Sequence, residues 1–301
     1  MQQYGTEKQC EQAFVKARWP DGFRCPRCSH DRAAQYRREG RAYWHCGACR
    51  YQASVRAGTI MEHSLLPLTK WYLAIYLMTQ SKTNIAALSL MRHLGVSWKT
   101  AWLLKHKLME VMREREDGCP LQGDVRVDDA YLGGEMTGGG RGRGSLNKVA
   151  FVAAVEMRNG RPQRVRFDPV TGFSFAALRV WARQAIVPGS CVISDGLLGF
   201  EVLGQLGYAH KVVQAPRGKA GTEIEPFKWL NVVIGNLKTA LSGTHHAFKF
   251  AKYAHRYLAD VQYRFNRRLD LAAMVPRLAK AVAQTRPFPK KKIMSWSEVG
   301  T

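Results

Sequence analysis

The sequence predicts a mixed α/β protein: an α/β core preceded by a small cysteine-bearing module and a small helical module. Three observations predict it. Two Cys-x-x-Cys pairs lie near the N-terminus, residues from about 60 to 117 carry helical periodicity, and residues 122–275 alternate strand and helix patterns. The boundaries expected from these shifts are 1–56, 57–118 and 122–275, with a basic tail at 276–301.

The composition narrows the partners. Lys and Arg number 46 against 23 Asp and Glu, a formal charge of +23 that strains a compact fold unless a polyanion binds it. Nucleic acid is the leading candidate for that partner. No apolar run is long enough to span a bilayer, so no membrane is expected. The N-terminus, Met1-Gln-Gln-Tyr-Gly-Thr-Glu-Lys, lacks a charged start followed by an apolar stretch, which points to a cytoplasmic location. Cys10, Cys119 and Cys191 then read as plain core or surface thiols.

The first module is built on Cys25-Pro-Arg-Cys28 and Cys46-Gly-Ala-Cys49, with 17 residues between the pairs. That spacing suits two knuckles closing on one tetrahedral zinc ion, and four thiolates leave no open position for catalysis. Cys25, Cys28, Cys46 and Cys49 are therefore the expected ligands of a structural Zn²⁺. Seven arginines from Arg24 to Arg50, interleaved with Tyr36, Tyr43 and Trp44, suit phosphate and groove contacts.

The second module holds apolar-periodic segments starting at Leu68, Asn84 and Ser97, with a break at Gly95-Val96. Ser97 is the expected N-cap of the last. The pair around the break resembles a helix-turn-helix, whose turn favours a residue tolerant of positive φ. Its second helix would offer Lys99, Thr100, Lys105 and Lys107 to DNA. A plain helical linker is the alternative.

The core opens with three strand candidates: Val125-Arg-Val-Asp-Asp-Ala-Tyr-Leu-Gly-Gly, Lys148–Met157 and Gln163–Val170, an expected antiparallel meander. Between the first two lies Gly138-Gly-Gly-Arg-Gly-Arg-Gly. No helix pattern opens after it, so it is read as a loop whose Arg141 and Arg143 grip the DNA backbone. A helix from Ser174, the strand Ser190–Asp195, a helix around Leu198 to Leu206, a short strand at Lys211 and a long helix follow. The end, Arg286-Pro-Phe-Pro-Lys-Lys-Lys-Ile, cannot continue a helix through its prolines and reads as a mobile basic tail.

Metal-dependent phosphoryl transfer needs converging oxygen ligands on a rigid frame. Asp128 ends the first strand candidate and Asp195 ends the buried one, which the proposed order makes its neighbour. In 229–242, Leu230, Val233, Ile234, Leu237 and Leu241 form an apolar stripe at helical spacing, and Asn231, Gly235, Lys238 and Ser242 form a second stripe beside it. With the first stripe against the sheet, Asn231 and Lys238 border the cleft. Glu223 and Glu225 precede Asn231 as the alternative third carboxylate. Asp129 is expected on the opposite sheet face. His245 and His246 read either as aids to the site or as helix-end histidines.

At these residues the chain resembles the zinc-ribbon-bearing insertion-sequence transposases with an RNase H-like catalytic domain, in the subgroup with Asn at the third acidic position and Lys seven residues on. The likeness runs through Leu68-Thr-Lys-Trp, Val127-Asp-Asp-Ala-Tyr-Leu-Gly-Gly, Asn147-Lys, Ser194-Asp-Gly, Asn236-Leu-Lys, Gly243-Thr-His-His and Arg264-Phe-Asn-Arg-Arg. It implies Asp128, Asp195 and Asn231 as metal-binding catalytic residues, Lys238 as their lysine partner, and Mg²⁺ or Mn²⁺ as cofactor. It also implies a DNA transposase that binds terminal inverted repeats in double-stranded DNA, cleaves the ends and joins 3′ hydroxyls to target DNA, as a dimer or higher oligomer. A catalytically silent DNA-binding protein on the same frame is the alternative.

Overall fold

The computed structural model describes residues 2–133, 148–214, 225–245 and 250–295. The chain divides into two compact units. The first comprises residues up to Ser81, Ile85–Val111 and Asp270–Ser295; the second is built on residues 82–84 and 112–269.

In the first unit, helix α1 (Glu7–Arg18) begins with a reciprocal cap in which Thr6 and Gln9 each bond the other's backbone N–H. Strands β1 (Ala33–Arg38), β2 (Arg41–Cys46) and β3 (Gln52–Ser54) form an antiparallel sheet in that order. Helix α2 (Leu68–Gln80) buries Leu68, Trp71, Tyr72, Ile75 and Met78. Pro67 offers its N-terminus no side-chain cap, and the Glu7 carboxylate takes that place, accepting from the backbone N–H of Leu68 at 2.8 Å and of Thr69 at 3.0 Å.

Helix α3 (Ala87–Leu94) ends at Gly95, whose φ of 58° closes the helix in the left-handed conformation. Ser97 then caps helix α4 (Trp98–Asp117), accepting from the Thr100 N–H at 3.3 Å, as its position predicts. The expected tail differs. Met274–Gln284 is a helix that buries Met274, Val275, Leu278 and Val282 and packs on α1 and α2, and Lys290–Ser295 is a further helix with Ile293 fully buried. Prolines 287 and 289 do interrupt the chain, but they separate two helices rather than releasing a tail.

The second unit carries a five-stranded mixed sheet in the order β6-β5-β4-β7-β8. Strands β4 (Asp124–Gly133), β5 (Lys148–Arg158) and β6 (Arg161–Pro169) form the expected meander; β7 (Cys191–Ser194) and β8 (Ala209–Val212) add in parallel beyond β4. Val125, Val127, Val152 and Ala154 share a core with helices α5 (Phe175–Ala185) and α6 (Val202–Gln205). Phe151, Ala153 and Val155, which alternate with them along β5, are fully buried too, so both sheet faces are covered. Helix α7 (Lys228–Ser242) packs on β4 and β5, and helix α8 (Phe250–Asn266) on β5 and β6. Among the described residues no helix is long and apolar enough to cross a membrane.

Candidate active site and metal centres

In the first unit the sulfurs of Cys25, Cys28, Cys46 and Cys49 lie within 4.8 Å of one another. The Cys25–Cys49 and Cys28–Cys46 sulfurs are 3.6 Å apart. A disulfide needs about 2.05 Å, whereas Zn–S bonds of about 2.3 Å in a tetrahedron give sulfur–sulfur edges of about 3.8 Å. The donor set therefore fits a structural zinc ion. The two knuckles repeat one geometry. Ser29 and Arg50, each following the second cysteine of its pair, stand at φ 61° and 58°, and their N–H groups reach back to the carbonyls of Cys25 and Cys46. The backbone N–H groups of Cys49 and then Ala48, against an opposing effect of burial, bring the Cys46 thiol down, while Cys28, despite a lowering His30 N–H, is pushed up by its hydrogen bond with Cys49 and by burial. All seven arginines of this region, Arg24, Arg27, Arg32, Arg37, Arg38, Arg41 and Arg50, are exposed.

The second centre lies where β7 ends. Strand β4 pairs with β7 only from Asp124 to Val127, opposite Cys191 to Ser194. From Asp128 onward the β7 side of β4 is open, and Asp195 follows β7 directly. Carboxylate oxygens of Asp128, Asp129 and Asp195 converge to within 4.8 Å of one another. Asp129 corrects the expectation that it would turn away. Its pairing with β5 continues through Asp129, but β7 does not reach it; its short side chain leans into the gap that Asp128 and Asp195 share, and its N–H donates to the Asp128 carboxylate at 2.8 Å. Three carboxylates of like charge in such a space are matched by a hard divalent cation with oxygen ligands.

Helix α7 forms the facing wall. Leu230, Leu237 and Leu241 are at most 1% exposed; burying each is worth about 2 kcal/mol, and that side holds the helix to the sheet. The neighbouring stripe then borders a cleft of about 630 Å³ lined by Asp128, Asp129, Lys148, Asn231, Lys238 and His245. The structure thus brings Asn231 and Lys238 to the same cleft as Asp128, and Asp195 to Asp128. Glu225 is exposed and, among the described residues, belongs neither to the carboxylate cluster nor to this lining; Glu223 and His246 lie outside the described residues. Lys148, at the start of β5, was not among the expected site residues, although its signal was the Asn147-Lys motif within the resemblance. His245 follows the end of α7, three residues past Ser242, and its ring meets that of Tyr257 at a 43° tilt, centroids 4.3 Å apart.

The residues expected to meet DNA divide. Lys99 is exposed and Thr100 partly so. Lys105 and Lys107 do not stand on the open surface as expected. Lys105 is 2% exposed and donates to the Ile85 carbonyl at 2.7 Å, and Lys107 donates to the Ile60 carbonyl at 2.7 Å. On α4 these positions fall on the buried side, where long lysine stems cover apolar surface and their ammonium groups satisfy loop carbonyls. Burial holds the Lys107 ammonium below its ordinary range, Glu62 opposing. Arg141 and Arg143 lie outside the described residues. The outward face of α3 and the start of α4 instead present Leu88, Arg92, His93, Trp98 and Lys99.

Comparison with known proteins adds three likenesses. Residues 120–266 match the ISXO2-like transposase domain, and residues 5–52 match the transposase zinc-ribbon domain. Over 146 residues the chain is 27% identical to an uncharacterized protein in transposable element ISH50 of Halobacterium salinarum. That match covers 48% of each sequence, so the chain spans about half the length of the curated relative it matches.

Proposed function

We propose, on the premise that this chain belongs to the zinc-ribbon-bearing insertion-sequence transposases, that it binds the terminal inverted repeats of its element, cleaves the ends and joins the freed 3′ hydroxyls to target DNA. One observation carries the reading: the Asp128, Asp129 and Asp195 cluster inside the matched transposase domain. The mixed sheet supports an RNase H-like catalytic domain: Asp128 and Asp129 stand midway along β4, which runs on to Gly133 rather than ending at Asp128 as expected, and Asp195 directly follows the adjacent strand β7.

Asp128, Asp195 and Asn231, with Asp129 beside them, would hold Mg²⁺ or Mn²⁺, which when bound supplies an activated attacking oxygen and a stabilised leaving oxygen. The protein's own part is placement. Lys238 brings a positive charge to the cleft wall for a phosphate oxygen, and strands β4 and β7 fix the carboxylates. Cleavage forms a bond from water oxygen to the scissile phosphorus and breaks its bond to O3′, which leaves as a 3′ hydroxyl. Joining repeats the displacement with that hydroxyl as nucleophile on a target phosphorus, whose own O3′ leaves and takes a proton. Phosphodiester bonds are conserved in the joining step, so no nucleotide hydrolysis is needed.

The exposed ribbon arginines and the α3–α4 pair, read as a helix-turn-helix, supply binding to element ends through phosphate contacts and groove contacts. Arg141 and Arg143 are proposed to contact the DNA backbone. Two ends processed together imply a dimer or higher assembly on DNA.

The test is a gel shift with a terminal-repeat duplex against a scrambled one, followed by cleavage mapping on a plasmid carrying both ends after Mg²⁺ addition. Preferential binding of the repeat and nicks at the element's 3′ ends are expected. Equal binding of both duplexes without nicks would contradict the reading.

A further inference from the structure

Behind Asp195, on the side away from the cleft, two polar residues form a chain that the proposed reaction does not use. Ser194 is fully buried at the end of β7. Its Oγ lies 3.0 Å from the Asp195 backbone carbonyl and 2.8 Å from Nε2 of His210 on β8. Serine has one proton and a carbonyl only accepts. Both contacts are hydrogen bonds when Ser194 donates to the Asp195 carbonyl and His210 Nε2–H donates to Ser194 Oγ.

The Asp195 carboxylate is held from its other end. Oδ1 accepts from the Leu197 N–H at 3.1 Å, which leaves Oδ2 uncommitted by that turn. A hydrolytic Ser–His pair is excluded by space, because a fully buried hydroxyl has no room for an ester. The remaining positions of β8, Ala209, Lys211 and Val212, are exposed, and His210 alone of the four is drawn inward.

We propose that His210 is a positioning residue for Asp195, acting through the Ser194 hydroxyl to fix the turn that presents this carboxylate to the catalytic divalent cation. The inference rests on the carboxylate cluster's being a metal site. Side chains that orient a ligand from behind commonly change metal affinity roughly 10–100-fold when removed.

The test measures Mn²⁺ binding by loss of the free-ion EPR signal on titrating the full-length, zinc-loaded protein, with Asp195→Asn defining the background. Thermal unfolding is followed in parallel. Ser194→Ala and His210→Ala should each weaken the Asp195-dependent site by about tenfold. His210→Gln, whose amide N–H reaches the Nε2 position, should recover most of that loss. The double variant Ser194→Ala with His210→Ala should bind no more weakly than Ser194→Ala alone, since the two act in one chain. A destabilising repacking would instead lower the unfolding temperature and would not be rescued by Gln.

Wild-type affinity in His210→Ala, or no recovery in His210→Gln, overturns this inference while leaving the metal site standing. A wild type that binds no more Mn²⁺ than Asp195→Asn overturns the metal reading and this inference with it.

Discussion

Asn266 completes the hydrogen bonding of Val165 as a neighbouring strand would: its Oδ1 accepts from the Val165 N–H at 2.7 Å and its Nδ2 donates to the Val165 carbonyl at 3.0 Å. Gln262, one turn earlier on α8, does the same for the Phe167 N–H at 3.0 Å. Strand β6 is the edge of the sheet, and these helix side chains occupy the groups through which another chain would add.

Asn266→Ala leaves a backbone donor and acceptor without that partner and removes a 2.7 Å contact to the buried Glu116. Each unsatisfied buried group costs about 1–3 kcal/mol, and water can reach part of this half-buried site. A loss of about 2 kcal/mol is expected in urea unfolding, together with increased self-association. A change within about 0.5 kcal/mol, the range of ordinary surface substitutions, would show that the edge does not depend on this residue.

Cys28→Ser removes one corner of the four-sulfur site. One zinc per chain in the wild type and substantially less in the variant are expected by metal analysis after dialysis against a mild chelator. Binding to terminal-repeat DNA should fall with it, because the knuckles that carry Arg27 and Arg50 lose their closure. Retained stoichiometry in Cys28→Ser would contradict the assignment of the four ligands.

Burial lowers the His210 imidazole below its ordinary value of 6.5, with the Glu201 charge opposing. Below about 6.5 the unfolded chain therefore takes up a proton more readily than the folded one, and stability is lost as pH falls through that value toward the lowered one in the fold. His210→Gln should flatten this part of the profile. The comparison is unfolding temperature from pH 7.5 down to pH 5, at about half-unit steps; parallel profiles for wild type and variant would count against a neutral, hydrogen-bonded His210.

Much of this arrangement was legible in the sequence because it depends on local pattern. The Cys25–Cys28 and Cys46–Cys49 spacing, the three-strand meander and the double stripe of α7 are periodic signals, and each appears in the structure. What was missed depends on tertiary surroundings. Lys105 and Lys107 look like surface charges until the loops ending at Ile85 and Ile60 supply carbonyls. Asp129 departs from the expected alternation on the side where β7 is missing: the β4–β7 pairing ends at Val127, two residues before it, while β5 still pairs with it. The helix Met274–Gln284 had its signal in Met274, Val275, Leu278 and Val282, but the abundance of basic residues and prolines beyond it suggested a free end.

On the proposed function, the Asp128–Asp195 cluster joins DNA ends through bound divalent cations. The most direct test is a strand-transfer assay with a labelled, pre-cleaved element end, a plasmid target and Mg²⁺ or Mn²⁺, comparing the wild type with Asp195→Asn. The account predicts joined product from the wild type and a loss of at least about a hundredfold in the variant, roughly 2.7 kcal/mol of transition-state stabilisation, with end binding preserved. DNA binding without joining by either protein, or equal joining by both, would contradict it.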